Sequence, residues 1–144
     1  MGAVVPAVLV AIAGGIAIAF QSQFSGVIGE RLGVIESVFI LHVGGILLAT
    51  VLILAVRGGN LSAWRSLPWY AYIAGFLGVL IVAAISFAVP RLGLATTLTL
   101  SIVTQLLIGV VFDHFGLFGV PQPMTVSRGL GIAVLLVGTW LVLR

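Results

Sequence analysis

Cysteine and lysine are absent from this chain of 144 residues, and charged side chains of any kind are rare. The lack of cysteine excludes disulfide bridges and thiolate metal sites. Only 6% of the residues are charged, whereas a soluble domain has about a quarter. An ordinary cytosolic enzyme and a disordered tail are therefore excluded. The six arginines form no basic patch, so we expect no nucleic-acid partner.

Apolar sequence takes the place of charge, with 62% apolar residues and a mean hydropathy of +1.39. A helix needs about 20 apolar residues to cross the hydrocarbon of a bilayer. Five segments meet this length, which predicts an all-α integral membrane protein with one transmembrane domain over residues 1–144. The first lacks a basic flank, and its apolar stretch is longer than the apolar core of a typical signal peptide, so we interpret it as a mature span. The predicted spans run from about Val4 to Ile28, Ser37 to Val56, Trp69 to Val89, Leu92 to Phe112 and Arg128 to Leu143.

The arginines divide evenly between the two sides of a five-span protein. Loops rich in Lys and Arg remain in the cytoplasm, so an even division removes the orientation signal. We expect the chain to insert in both orientations and to form an antiparallel homodimer, or a heterodimer with a paralogue. Either dimer would rebuild from two chains the inverted repeat that many transporters contain in one. The alternative is a weak bias hidden by loop length. One side carries Arg57, Arg65 and Arg128, and the other carries Arg31, Arg91 and Arg144.

Small residues recur along two of the spans at helical spacing. Small side chains let helix backbones approach closely within a bilayer. We therefore predict a compact helix bundle in the lipid bilayer that packs through these positions. They are Ala7, Ala11, Gly15 and Ala19 in the first span, and Gly75 and Gly78 in the third.

Polar residues within the spans are the candidate site, because they are costly to bury without a partner. Gln105 lies eight residues before Asp113, or about 12 Å along a helix, which places it near the midplane. We predict a small-molecule site of mostly apolar character with a few polar groups. The alternative is that the hydroxyls bond within their own helix and the glutamines bond between helices. The predicted lining is Gln21, Gln105, Thr97, Ser101, Thr104 and His42, flanked by Phe20 and Phe24.

His42 is the one titratable side chain well inside a predicted span. Histidine titrates near neutral pH, so we take His42 as the first candidate for proton coupling, although a packing role is the alternative. Glu36 and Asp113 lie at helix ends and are weaker candidates; Glu36 also suits a capping role there. No catalytic constellation, metal-ligand cluster or cofactor motif is recognisable, so we expect neither enzyme activity nor a cofactor.

The segment from Gln105 to Gly119, and above all its run Asp-His-Phe-Gly-Leu at 113–117, resembles the signature of a small bacterial family. This family is the YdcZ-like, five-helix exporters of the drug/metabolite transporter superfamily. The resemblance continues at Gln21, at the Gly44-Gly45 pair, at residues 90–93 and in the glycine-rich last span, so it covers essentially the whole chain.

The resemblance implies a multi-pass protein of the bacterial inner membrane. It also implies a secondary transporter that exports a small organic metabolite or drug-like molecule by alternating access in a dual-topology dimer. Two alternatives remain open: a small dual-topology ion channel, which needs rings of charge or oriented dipoles along a pore, and an accessory membrane subunit without transport.

Overall fold

The computed structural model describes residues 4–117 and 121–144, and all regular structure in these two ranges is helical. Four of the five α-helices are long and apolar enough to cross a membrane. The last has 17 residues, a length of about 26 Å, at the lower limit for a span. The all-α, five-helix prediction is thus confirmed. The helices are α1 (Val4–Arg31), α2 (Val34–Ala55), α3 (Ile73–Leu92), α4 (Leu94–Phe115) and α5 (Val126–Val142).

The helix ends differ from the predicted span ends by a few residues. Backbone hydrogen bonding carries α1 past Ile28 and α4 past Phe112, into polar residues that hydropathy alone excludes from a span. The third predicted span began at Trp69, but Trp69–Tyr72 is a 3-10 helix that precedes α3. A second 3-10 helix, Leu61–Ser66, lies in the loop before it.

The tripeptide Arg-Leu-Gly precedes both α2 and α4 and makes the two shortest connections. Its glycine has a positive φ in each case, 123° at Gly33 and 81° at Gly93, a conformation that favours glycine. Each glycine carbonyl then accepts the first helical hydrogen bond, from Ser37 N (3.1 Å) and Thr97 N (3.2 Å) respectively. Both connections therefore contain almost no polar loop.

The chain divides into two compact units, and the boundary between them in the sequence falls between Arg91 and Leu92. The first contains α1, α2 and α3, and the second contains α4 and α5. The single transmembrane domain over residues 1–144 stays a prediction. In both units most large apolar side chains are exposed, and the buried ones among the described residues are Val38, Val89 and Val103. Helices that are apolar on all faces suit a hydrocarbon surrounding.

Candidate functional site

Three serine hydroxyls meet where the helices of the first unit come together. Ser25 of α1, Ser37 of α2 and Ser86 of α3 are each 1% exposed or less. The Ser25 Oγ lies 2.6 Å from Ser86 Oγ and 3.2 Å from Ser37 Oγ, and Ser86 Oγ lies 2.9 Å from Ser37 Oγ. We call these residues the serine cluster. Each of the three helices therefore contributes one hydroxyl to a common buried contact.

Backbone carbonyls complete the hydrogen bonding of the serine cluster. Ser37 Oγ donates to the Ser25 carbonyl (3.0 Å), and Ser86 Oγ is placed to donate to the Val82 carbonyl (2.7 Å). The Ser25 hydroxyl then donates within the cluster. Each hydroxyl proton thus has an acceptor, so the cluster links helices rather than offering free donors to a ligand.

Two glycines bring α1 against α3 beside the serine cluster. A Cβ at Gly29 would lie 2.7 Å from the Ser86 carbonyl oxygen, and one at Gly26 would lie 2.6 Å from Val89 Cγ1. Pro90 has no N–H to donate to that Ser86 carbonyl, so the carbonyl is available at the surface of α3 where Gly29 approaches. The two helices can be this close only without side chains at positions 26 and 29.

The other halves of α1, α2 and α3 are open. No heavy atom of a neighbouring element lies within 4 Å of a Cβ built at Gly15, Gly44 or Gly75. The first half of α1 is exposed throughout its described residues up to Ile18. The packing predicted at Ala7, Ala11, Gly15, Ala19 and Gly75 therefore stays a prediction.

His42 lies between these closed and open halves. Its Nδ1 is 2.7 Å from the Val38 carbonyl, which can only accept, so Nδ1 carries the proton. Nε2 faces α3, 3.6 Å from where a Cβ of Gly78 would lie. Gly78, predicted as a packing residue, thus lies beside the His42 ring, at a distance where an added methyl would make ordinary van der Waals contact. The Nε2 atom of His42 therefore lies on the side of α2 that faces Gly78 of α3.

The other predicted site residues of the first unit lie on α1. Gln21, Phe20 and Phe24 are exposed, and the two phenyl rings are 6.1 Å apart. The four predicted α4 residues belong to the second unit. The predicted lining therefore falls into two sets, one in each unit, and its assembly into one cavity stays a prediction.

The hydroxyls of α4 follow the alternative given above. Thr97, Ser101 and Thr104 each bond the carbonyl four residues earlier, at 2.8, 2.9 and 2.9 Å. Their protons are committed within the helix, and Thr97 is also buried. These residues keep only acceptor lone pairs for a ligand.

Gln105 lines an open groove of about 390 Å³ on α4. Gln105, Gly109 and Asp113 recur every four residues and so share one helix face. A Cβ at Gly109 would meet no atom within 4 Å, so the middle of the groove is open. We call this surface the α4 groove; it is lined by Ile102, Gln105, Leu106, Gly109, Val110 and Asp113.

The chain after α4 folds back onto the end of the groove. Gly116 adopts a left-handed conformation (φ 61°) and ends the helix. The Asp113 carbonyl accepts hydrogen bonds from Gly116 N (3.3 Å) and Gln122 N (2.7 Å), and His114 Nδ1 accepts one from Met124 N (3.2 Å). The Asp-His-Phe-Gly-Leu run thus has a structural role, because it ends α4 and anchors the next segment.

The Arg128 side chain bonds Gln122 and not Asp113. Arg128 Nη2 donates to Gln122 Oε1 (2.7 Å) and Nη1 to the Gln122 carbonyl (3.4 Å). Throughout residues 4–117 and 121–144, the Asp113 carboxylate has no ion-pair partner. It is exposed at the end of the α4 groove. The groove therefore ends in an uncompensated negative charge.

Glu36 lies in the first turn of α2, where its negative charge favours the helix dipole. Its Oε2 occupies the position that a Cβ of Gly33 would take, so the side chain folds back over the helix start. Both the capping role and the coupling role of Glu36 stay predictions. Over the described part of the chain, no three His, Asp or Glu side chains come together as metal ligands would.

The sequence pattern of one protein family matches residues 6–141, nearly the whole chain; its description is "Putative inner membrane exporter, YdcZ". A curated relative, the inner membrane protein YdcZ of Escherichia coli (strain K12), is 35% identical over 79 residues. That stretch is 55% of this chain and 53% of the relative, so the match spans about half of the relative's length. No solved structure matches the chain.

Proposed function

Because the chain belongs to the YdcZ family of inner membrane exporters, we propose that it is a secondary transporter that exports a small organic metabolite or drug-like molecule by alternating access. It is a multi-pass protein of the bacterial inner membrane, like its family. The family is one of exporters and not of enzymes. The proposal extends this to a mechanism, and one observation carries it: the first unit is closed at one end and open at the other.

A carrier must close one side of its site at a time and must be able to reverse this closure. The serine cluster closes the end of the unit near Arg31 and Arg91, while the glycine-lined halves of the same helices remain open. Interhelical hydrogen bonds in membranes average about 0.6 kcal/mol. The cluster makes two such bonds, because the Ser86 proton goes to the Val82 carbonyl of its own helix. Two bonds amount to roughly 1 kcal/mol, which leaves the opened cluster populated at about ten per cent. The serine cluster is thus strong enough to hold one state and weak enough to release it.

A second subunit in the opposite orientation completes this proposal. Five helices cannot provide two equal halves, and the arginines divide three against three between the two sides. A second copy, or a paralogue, inserted the other way would supply the inverted repeat around a shared site. The small-molecule site would then include Gln21, His42 and the α4 residues, with His42 Nε2 as the proton-coupling group.

A reversible crosslink in the serine cluster tests the mechanism. The chain has no native cysteine, so the double variant Ser25→Cys/Ser86→Cys reports without background. Proteoliposomes are loaded with a mixture of small metabolites and dyes, and efflux is followed by mass spectrometry. We expect oxidation of the double variant to reduce efflux at least tenfold and reduction to restore it, because the closed end can no longer open.

The single variants Ser25→Cys and Ser86→Cys, treated with the same oxidant, are the controls and should keep their efflux. Full efflux from the oxidised double variant would show that the serine cluster does not open in the cycle. Absence of efflux for every compound with the unmodified protein would contradict transport and favour an accessory subunit. Ion flux well above about a thousand per second would indicate a channel, because a carrier is limited by microsecond-to-millisecond conformational steps.

A further inference from the structure

We infer that the α4 groove binds an organic cation. The ammonium group of this cation lies at Asp113, and a polar group at the other end of the cation bonds Gln105. The inference rests on the proposed transport function for its biological meaning, and it names the substrate class of that site. Three observations carry it: the charge of Asp113, the shape of the groove, and the chemistry of Gln105.

The position of Asp113 has no explanation in the stability of α4. A carboxylate in the last turn of a helix faces the negative end of the helix dipole, which is unfavourable. Neither His114 nor Arg128 forms an ion pair with it. Arg128 is bound to Gln122, and His114 Nδ1 accepts a backbone N–H, so that this nitrogen carries no proton. A bound cation would satisfy both the carboxylate and the helix end.

The shape of the groove fits an elongated ligand. Eight residues separate Gln105 from Asp113, a distance of about 12 Å along the helix axis. Gly109, midway between them, adds no side chain and leaves the floor open. The remaining lining is aliphatic: Ile102, Leu106 and Val110. A chain of about ten methylene groups has the matching length of about 12 Å.

The two ends of the groove differ in what they select. The Gln105 amide both donates and accepts hydrogen bonds, so it can bond a ligand hydroxyl or amide group whether that group donates or accepts. The Asp113 carboxylate only accepts when ionised, and at a membrane boundary it attracts cations and repels anions. The charge of Asp113 therefore favours a cation. The aliphatic lining and Gln105 favour an apolar body and a second, neutral polar end.

Three ten-carbon ligands of equal length and different charge test this assignment: aminodecanol, decanediol and hydroxydecanoate. Their binding to the full chain in lipid nanodiscs is measured by titration calorimetry, with empty nanodiscs subtracted to remove partitioning into lipid. We expect aminodecanol to bind at least tenfold more tightly than the neutral diol, and the carboxylate not to bind.

Variants locate the site. Asp113→Asn should weaken aminodecanol binding at least tenfold, and its backbone carbonyl still accepts from Gln122, so the fold is kept. Gly109→Leu should block the groove, and Gln105→Leu should weaken binding a few-fold. Glu30→Gln is the matched control, since it removes one carboxylate at the end of another helix and should leave binding unchanged. Circular dichroism confirms that each variant is folded.

Equal binding of the three ligands, or full binding by Asp113→Asn, would overturn the assignment. The assay measures equilibrium binding and needs no transport, so the two proposals fail separately. A protein that moves metabolites but shows no Asp113-dependent cation binding would retain the transport function and lose this site. A protein that binds aminodecanol through Asp113 but moves nothing would retain the site and lose the transport function.

Discussion

Individual glycines have opposite roles along α1. Gly29 lies against the Ser86 carbonyl, whereas Gly14 faces open space. We predict that Gly29→Ala destabilises the protein by about 1–3 kcal/mol, because the added methyl overlaps backbone atoms that cannot rotate away. Gly14→Ala is the matched control on the same helix and should be neutral or slightly stabilising, because alanine is the better helix former. Chemical unfolding in detergent measures both, and equal stability of the two variants would contradict the close contact.

At the residue scale the sequence shows which polar residues lie within α4, but it does not predict the contact that holds the first unit together. The groove that Gln105 shares with Asp113 is a finding of the structure, because the predicted lining did not include Asp113. The serine cluster was missed, although Ser25 and Gly29 have the four-residue spacing of small residues that marks a helix contact. Ser25, Ser37 and Ser86 are far apart in sequence. Helices that are apolar on every face carry no pattern that tells which faces meet.

The end of α4 contains Asp113, so the α4 groove depends on how this helix ends. Gly116 ends the helix with φ 61°, and this lets Asp113 and His114 hold the segment around Gln122. We predict that Gly116→Ala costs about 1–2 kcal/mol, because an alanine in the left-handed conformation places its Cβ against a carbonyl oxygen. Gly116→Asn should cost less, since asparagine tolerates this conformation.

Hydrogen exchange followed by mass spectrometry measures the effect at the end of α4. We expect faster exchange around position 116 in Gly116→Ala and unchanged exchange in Gly109→Ala, whose added methyl would meet no atom within 4 Å. Unchanged exchange in both variants would mean that other contacts end the helix.

At the element scale the number, type and approximate extent of the helices follow from hydropathy and length. The ends do not. The predicted spans leave Pro90 and Arg91 in a connection, yet both lie in the last turn of α3. Arg91 stays helical because its guanidinium lies 3.6 Å from the centre of the Phe87 ring and bonds the Phe87 carbonyl. Such contacts depend on helix geometry and leave no signal in average hydropathy.

Orientation is a property of the whole molecule, and it rests on very few charges. Positive charge added to one side should move the population to one orientation. We predict that Asn60→Arg/Ser62→Arg, in the exposed α2–α3 loop, places that loop in the cytoplasm and the C-terminus in the periplasm. Two arginines appended after Arg144 should do the reverse. A C-terminal fluorescent protein reports the cytoplasmic population, and alkaline phosphatase reports the periplasmic one.

The unmodified chain should give both signals. A single signal from the unmodified chain would contradict the antiparallel homodimer and favour a paralogous partner of opposite orientation. The same reporters on a chain with Asn60→Gln/Ser62→Gln are the control, because that variant changes the same positions without adding charge.

The two Arg-Leu-Gly turns also bear on how the chain enters the membrane. Leu32 and Gly33 are all that separates α1 from α2, and Gly93 alone separates α3 from α4. Neither turn offers a hydrophilic segment for the insertion machinery to carry across the bilayer. We therefore expect these helices to insert from either direction at similar cost, so that a handful of arginines decides the final orientation.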